Sequence, residues 1–271
     1  MPARPVALVT GAARRLGRVI ALDLARHGFD IALHYRHSHT EALATVDEIE
    51  ALGAAAHAFA ADLSDEAACR ALVPAVLAHF GRLDAVVNNA ALFEHDDAQS
   101  FGFASMERHW RANTAPAVLL AQALHAHCLE RGAPGAGATA CVVNLLDQKL
   151  WNPNPDHFSY TLSKAALQAA TVMLAQALAP QVRVCAVAPG LALPSAAIDA
   201  GRLDRLQADT PLRRGVSPAD VARSVRFLIE TGSITGSTLL VDAGSHLVRM
   251  ERDFAFIEPR PGADTPTPGH S

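Results

Sequence analysis

Short apolar runs alternate with longer helical patterns along almost the whole chain of 271 residues. The candidate strands are Val6–Thr10, Asp30–His34, Ala55–Ala61, Ala85–Asn88, Ala140–Leu145, Arg183–Ala188 and Thr238–Val241. Helical patterns cover Leu16–His27, Thr40–Leu52, Glu66–Phe80, Ala104–Arg131, Phe158–Ala179, Leu203–Ala208 and Pro218–Glu230. A strand that is apolar on both sides has no face to show to water. When helices separate such strands, the result is a parallel sheet covered on both faces. Right-handed crossovers then wind the chain both ways from its centre, giving a doubly wound, seven-stranded α/β domain. In that architecture a ligand lies beyond the carboxyl ends of the strands, so residues at those ends carry the functional reading.

Half of the residues are hydrophobic, enough for one large core, and the net charge of −4 comes without a long run of one sign. Nucleic acid is therefore not the expected partner. Cys69, Cys128, Cys141 and Cys185 are scattered, which suits buried thiols in a reducing cytosol, and no metal site is expected. The first strand starts at once, with no leader pattern, and no apolar stretch reaches membrane-spanning length. These features predict a cytoplasmic protein with no membrane partner. Gly132–Gly137 is expected to be a flexible loop, and residues 258–271, rich in Pro, Gly, Thr and Asp, a poorly ordered tail after a single domain over 1–257.

The first strand ends in Thr10-Gly11-Ala12-Ala13-Arg14-Arg15-Leu16-Gly17 and runs into a helix. Gly11 permits the tight turn, Gly17 permits close helix packing, and free N–H groups at the helix start suit a pyrophosphate. At the end of the second strand comes His34-Tyr35-Arg36-His37-Ser38. A site for NAD usually places a carboxylate there for the ribose 2′-OH. This chain instead offers Arg36, His37 and Ser38, with Arg14 near, which suits the 2′-phosphate of NADPH. Asp62, with Leu63 beside it, follows the third strand. It can accept from an adenine amino group, or Asp62 or Ser64 can cap the next helix. Asn88-Asn89-Ala90 ends the fourth strand, where small side chains let a cofactor approach.

Tyr160 and Lys164 are four residues apart, on one face of a helix. An ammonium beside a phenol favours the tyrosinate and lowers the tyrosine pKa from ~10, which readies it for proton transfer. Asn113 stands between apolar neighbours in the long helix Ala104–Arg131. It is expected to interrupt the helix hydrogen bonds and to hold a water leading to Lys164. Thirteen residues before Tyr160 stands Asp147.

Together these residues resemble the short-chain dehydrogenase/reductase family, from about Pro5 to Leu247. The resemblance rests on the Thr10-Gly11 turn, Asp62, Asn88-Asn89-Ala90, Asn113, and Tyr160 with Lys164. Pro189-Gly190 stands where the family binds the nicotinamide amide. It implies a Rossmann fold over residues 1–257, nicotinamide-dependent oxidoreduction and, often, a homotetramer. Two departures stand out. Arg15 replaces a glycine of the usual turn, and Asp147 replaces the serine that hydrogen-bonds a substrate carbonyl. An ionised carboxylate there would repel an alkoxide. A protonated one can donate, but only with a raised pKa. Ring N–H or C=N groups suit Asp147 better.

Both departures also resemble the pteridine reductase branch, as do His34–Ser38. That branch stacks a pterin between the nicotinamide and a phenylalanine, which here is Phe93, and turns Arg15 toward pterin or phosphates. Its serine two residues before the phenylalanine is Ala91 here. The resemblance therefore implies NADPH-dependent reduction of a pterin-like ring, a dihydropterin or dihydrofolate. Asp147, Tyr160 and Lys164 would handle the proton, and Arg15, Phe93, Asp147 and Tyr160 would hold the substrate. The alternatives are a generic carbonyl reductase of the 3-oxoacyl type and a non-catalytic NADPH-binding regulatory protein. Leu191–Arg214 is expected to be the substrate lid. Trp151 is left between pocket and interface, and His246–Ile257 between packing on a neighbour and covering the site.

Overall fold

A computed structural model describes residues 4–131, 140–195 and 197–257. The predicted loop Gly132–Gly137 and the predicted tail 258–271 lie outside the described residues. Seven strands form one sheet in the order β3-β2-β1-β4-β5-β6-β7. They are β1 (Val6–Val9), β2 (Asp30–Tyr35), β3 (Ala56–Ala60), β4 (Ala85–Asn88), β5 (Ala140–Leu145), β6 (Val182–Pro189) and β7 (Thr238–Val241). Every pairing is parallel. The order reverses between β1 and β4, which pair Leu8 with Val86 and Val9 with Val87. That reversal opens the crevice in which doubly wound sheets bind ligands.

Strand alternation sorts the core into two faces. Ala7, Val9, Ile31, Leu33, Val87 and Val143 pack under α1 (Arg15–Arg26), α2 (His39–Ala51) and α8 (Pro218–Glu230). Val6, Leu8, Ala32, Val86, Val142 and Val184 pack under α3 (Glu66–Phe80) and α5 (Ala115–Glu130), with α6 (Phe158–Ala177) beside them. Leu8, Ile31, Leu33 and Leu228 are fully buried, and each such side chain contributes ~1.5–3 kcal/mol through burial alone. Among the described residues no helix is long and apolar enough to cross a membrane.

Beyond shifts of one or two residues at element ends, two helices and one helix cap differ from the sequence reading. The helix read as Ala104–Arg131 is α4 (Phe103–His109), a π-helical turn at Trp110–Thr114, and α5. A π turn inserts one residue into helical bonding, and such insertions frequently occur at functional sites. The helix read as Leu203–Ala208 begins earlier, as α7 (Ala200–Ala208), because Asp199 caps it by accepting from the Arg202 N–H at 2.8 Å. Helix α3 is capped by Asp65, which accepts from the Ala68 N–H at 2.8 Å, and not by Asp62 or Ser64.

Candidate active site

The turn after β1 closes on itself. Gly11 has φ of +62°, a region that favours glycine. A Cβ on Gly17 would stand 2.3 Å from the Gly11 carbonyl oxygen and 2.5 Å from Asn89 Nδ2, so only glycine lets α1 approach β4. Asn89 fastens that approach by donating to the carbonyls of Thr10 at 2.8 Å and Gly11 at 3.2 Å. Arg15, where the resemblance expects glycine, has φ of +54°, a left-handed conformation that costs a non-glycine residue ~1–3 kcal/mol. Its Nη2 donates to the Pro194 carbonyl at 2.7 Å, tying the turn to the segment after β6. The first turn of α1 carries no acidic residue, and among the described residues no side chain caps its N–H groups.

Sequence reasoning missed His34. The buried imidazole accepts from the Gly11 N–H at 3.1 Å through Nδ1 and donates to the Ala61 carbonyl at 3.0 Å through Nε2. It links the β1 turn to the end of β3, and burial lowers its pKa, which favours this neutral form. Tyr35 departs from expectation. Its side chain is buried in the core and bonds His39 Nδ1 at 2.7 Å, and it lines neither cavity. Arg36 and His37 are exposed, and Arg36 lies 4.0 Å from Asp62. The Asp62 carboxyl is held low, first by the Ser64 hydroxyl and more weakly by Arg36. Asp62, Leu63, Arg36 and Ala90 line a cavity of about 190 Å³ beyond β2, β3 and β4.

A larger cavity of about 590 Å³ continues past β4 to β6. Arg15, Leu16, Phe93, Asp147, Tyr160, Pro189 and Gly190 line it, so the fold brings these predicted residues together. The Tyr160 hydroxyl donates to Asp147 Oδ2 at 2.9 Å. The other Asp147 oxygen accepts from the Lys149 N–H at 2.9 Å. Lys164 Nζ donates to the Leu145 carbonyl at 2.7 Å and lies 5.8 Å from the Tyr160 ring centroid. Burial raises the Asp147 pKa. Burial lowers that of Lys164 to about 8.

The lowered tyrosine pKa expected from the sequence is reversed. Burial comes first and the Asp147 charge second, and together they push Tyr160 well above its ordinary value. Lys164 is directed at a carbonyl, not at the phenol, and does not offset them. Tyr160 and Asp147 are therefore both biased toward holding protons, a pair built to donate.

Asn113 lies within the π turn Trp110–Thr114, so the helix hydrogen bonding is interrupted there as the sequence suggests. Its Oδ1 accepts from the Leu92 N–H at 2.7 Å. Its Nδ2 donates to the Leu92 carbonyl at 3.0 Å and to Ser163 Oγ at 2.9 Å. These bonds fix the loop after β4 to α6 beside Lys164. Asp96, another missed residue, accepts from the Ser159 N–H at 2.9 Å and from Ser105 Oγ at 3.0 Å, anchoring the first turn of α6.

The segment 246–257 covers the cavity: Met250, Asp253, Phe254 and Phe256 line it. Arg252 forms a two-pronged pair with Asp156 at 2.8 and 2.9 Å. Lys149 Nζ bonds Asp253 at 3.1 Å, and Arg202 donates to the carbonyls of Phe254, Ala255 and Ile257. Of the expected lid, Leu191, Ala192, Leu193, Ser195, Ala197 and Ile198 line the cavity, and no residue of α7 does. Trp151 does not line the cavity but packs on Leu146, Leu167, Ala186 and Ala188.

The comparisons with known proteins agree with this geometry. Residues 11–246 match the family model described as enoyl-(acyl carrier protein) reductase. The FolM alternative dihydrofolate reductase 1 from Brucella canis, solved in complex with NADP, is 38% identical, with a TM-score of 0.84 over 92% of this chain and 97% of that one. A 3-oxoacyl-[acyl-carrier-protein] reductase, FabG, from Staphylococcus aureus is 30% identical over 89% of this chain and 98% of its own length. Granaticin polyketide synthase putative ketoacyl reductase 2 from Streptomyces violaceoruber is 33% identical over 91% of this chain and 98% of its own. With this sheet order, this turn and these matches, the chain belongs to the short-chain dehydrogenase/reductase family of NAD(P)-dependent oxidoreductases.

Proposed function

We propose that this protein is an NADPH-dependent reductase of a pterin-like ring, a cytoplasmic enzyme that works as a homotetramer on a small-molecule substrate. The observation that carries the reading is Asp147, which receives the Tyr160 hydroxyl at 2.9 Å inside the cavity. A carboxyl group with a raised pKa can donate to, or accept from, ring nitrogen. The likeness to a dihydrofolate reductase solved with NADP supports the same reading.

The residues present fit the dinucleotide. The uncapped, acid-free start of α1 suits a pyrophosphate held by the backbone of Arg15 and Leu16. Arg14, Arg36 and Ser38 suit the 2′-phosphate. A half-exposed pair such as Arg36 with Asp62 is worth only ~0–1 kcal/mol and yields readily to a phosphate. Asp62, Leu63 and Ala90 border the smaller cavity, which suits the adenine end, Asn89 fastens the turn beside it, and Pro189 and Gly190 border the larger cavity, which suits the nicotinamide end.

When bound, NADPH supplies the hydride, which goes to the carbon of a C=N bond. The chain's own residues supply the proton to the nitrogen. Asp147 donates it, the Tyr160 hydroxyl holds the resulting carboxylate through their hydrogen bond until solvent returns a proton, and Lys164 supplies nearby positive charge. Phe93, 54% exposed, offers a flat face for the ring. The π turn and Asp96 keep α6, and so Tyr160, in place. Exposed Leu162, Val172 and Met173 on α6 and Leu129 on α5 give copies of the chain an apolar surface on which to associate.

The test is NADPH consumption with 7,8-dihydrobiopterin and 7,8-dihydromonapterin beside an acetoacetyl thioester. Turnover of a pterin, abolished in Tyr160→Phe and Asp147→Ala, is expected. Turnover of the thioester alone would establish the second reading, a carbonyl reductase, which the names of the ketoacyl reductase relatives favour.

A further inference from the structure

A buried ammonium in the cavity wall has no part in the chemistry above. Lys149 is 3% exposed, although it lines the larger cavity. Its Nζ donates to the Asp156 carbonyl at 2.6 Å and pairs with Asp253 Oδ2 at 3.1 Å. Asp253 lines the same cavity from the segment 246–257, which roofs it. A buried ion pair adds little to stability, because well-packed apolar side chains of the same volume often do as well or better. The use of this one has to be read from what it joins.

At one end it joins the proton donor. The Lys149 backbone N–H donates to Asp147 Oδ1 at 2.9 Å, while the Tyr160 hydroxyl donates to Oδ2. Lys149 thus holds Asp147 with its main chain and the roof with its side chain. At the other end, the Asp253 N–H donates to Asp156 Oδ2 at 2.7 Å, and Asp253 Oδ1 accepts from the Ala255 N–H at 3.2 Å. The Asp253 charge reaches the reacting pair. Burial is the main cause of the raised Asp147 pKa, and Asp253 adds to it. For Tyr160 burial leads, Asp147 follows, and Asp253 acts in the same direction. The other charged or titratable groups around the pair are Lys164 of α6, His157 at its start, His95 from the loop after β4, Asp156 with Arg252, and Arg15 of the β1 turn. None of these is removed when Lys149 or Asp253 is replaced.

We propose that Lys149 and Asp253 are positioning residues that act through Asp147: one buried ion pair ties the roof to the loop carrying the proton donor and balances the charge around that donor. This rests on the reading of Asp147 as the group that protonates the ring. A pair that only braced the roof would leave the proton chemistry where it was, and the test must separate the two roles.

The experiment follows the single-turnover rate against pH, with NADPH and the faster of 7,8-dihydrobiopterin and 7,8-dihydromonapterin. The enzymes are wild type, Asp253→Asn, Lys149→Met and the double variant, each first titrated with NADPH to show that it is folded. The rate set by a proton donor falls as pH rises through its pKa. Asp253→Asn removes a negative charge and leaves the ammonium unbalanced, so Asp147 gives up its proton more readily and the fall should move down by about one pH unit. Lys149→Met leaves the Asp253 carboxylate unbalanced, so the fall should move up by a similar amount. Lys164 titrates under the same signs, so the whole limb moves together. The double variant should return close to the wild-type position. Shifts of the same sign, or rates that drop with the limb unmoved, overturn the inference. Asp253→Asn nearly keeps the shape of the side chain, and it decides alone should Lys149→Met fail to bind NADPH: a fall that does not move down overturns the inference. Turnover of a pterin with unmoved profiles sinks this inference only. If wild type turns over neither pterin, the proposed function itself fails and this inference falls with it.

Discussion

The dinucleotide turn and the substrate cavity share one edge of the sheet but are built in different ways. The turn is a single connection, Thr10 to Gly17, made of backbone and glycine, and the arginines near it are exposed and loosely paired. The cavity is assembled from distant stretches around Arg15, Phe93, Asp147, Tyr160, Leu191, Ile198, Met250 and Phe256. Two pairs of polar groups in its wall are buried and bonded to each other, Asp147 with Tyr160 and Lys149 with Asp253, and the exposed Arg252 pairs with Asp156 behind them. The turn should therefore respond to substitutions one at a time. The cavity should respond as coupled units.

The largest effect tests that coupling directly. Tyr160→Phe and Asp147→Ala should each lower the single-turnover rate by ~10²–10⁴. The double variant should lose little beyond the worse single one, because the two groups share one proton path. Additive losses would mean that the pair acts as two independent groups. The same unit has a pH signature. Lys164 is lowered to about 8, so its ammonium form dominates below that value and fades above it. The rate should fall as pH rises through about 8, and Lys164→Arg should remove that limb, because arginine stays charged.

Next in size is the turn. Gly17→Ala forces a Cβ to within 2.3 Å of a carbonyl oxygen, and overpacking of this kind costs ~1–3 kcal/mol. NADPH affinity measured by fluorescence titration should weaken by ~10–100-fold, the equivalent of that cost. Unchanged affinity would show that the turn is not the dinucleotide's seat. Arg36→Ala is milder. It should weaken NADPH by ~tenfold and leave NADH unaffected, since only one charge-assisted contact is removed.

The smallest effect lies in the roof of the cavity. Arg252→Ala should raise the pterin KM by a few-fold. The Asp156 carboxyl is held at about 2, first by its hydrogen bond from Arg252. Its folded pKa lies below the ordinary 3.8, so the pair stabilises the roof above that pH and is lost as pH falls through about 2. Protease sensitivity of the segment 246–257 should rise over that window in the wild type, and already be high at neutral pH in Arg252→Ala.

What the sequence made legible follows the same division. Strand runs, the glycine turn and the tyrosine–lysine spacing are local patterns, and the structure contains each of them. The π turn was legible only in part: Asn113 among apolar neighbours points to a break in the helix bonding of Ala104–Arg131, but the form of the break goes with Asn113 reaching Leu92 and Ser163, both far away in the chain. The segment 246–257 has no period of its own. Ion pairs to Lys149 and Asp156 and bonds from Arg202 place it, all far away in the chain. The direction of the Tyr160 pKa was misread for a similar reason. Sequence spacing puts Lys164 on its face, but burial and Asp147 outweigh that charge. His34 looks like an ordinary histidine until its two nitrogens have named surroundings.

The roof over the cavity has a consequence for descent. Its side chains come from a stretch of the chain that contributes no strand to the sheet. Mutations there can retune which molecule is admitted while strand order, turn and proton relay are inherited intact. Diversification within such a lineage needs only drift in a dozen residues, followed by selection on what then fits beneath them.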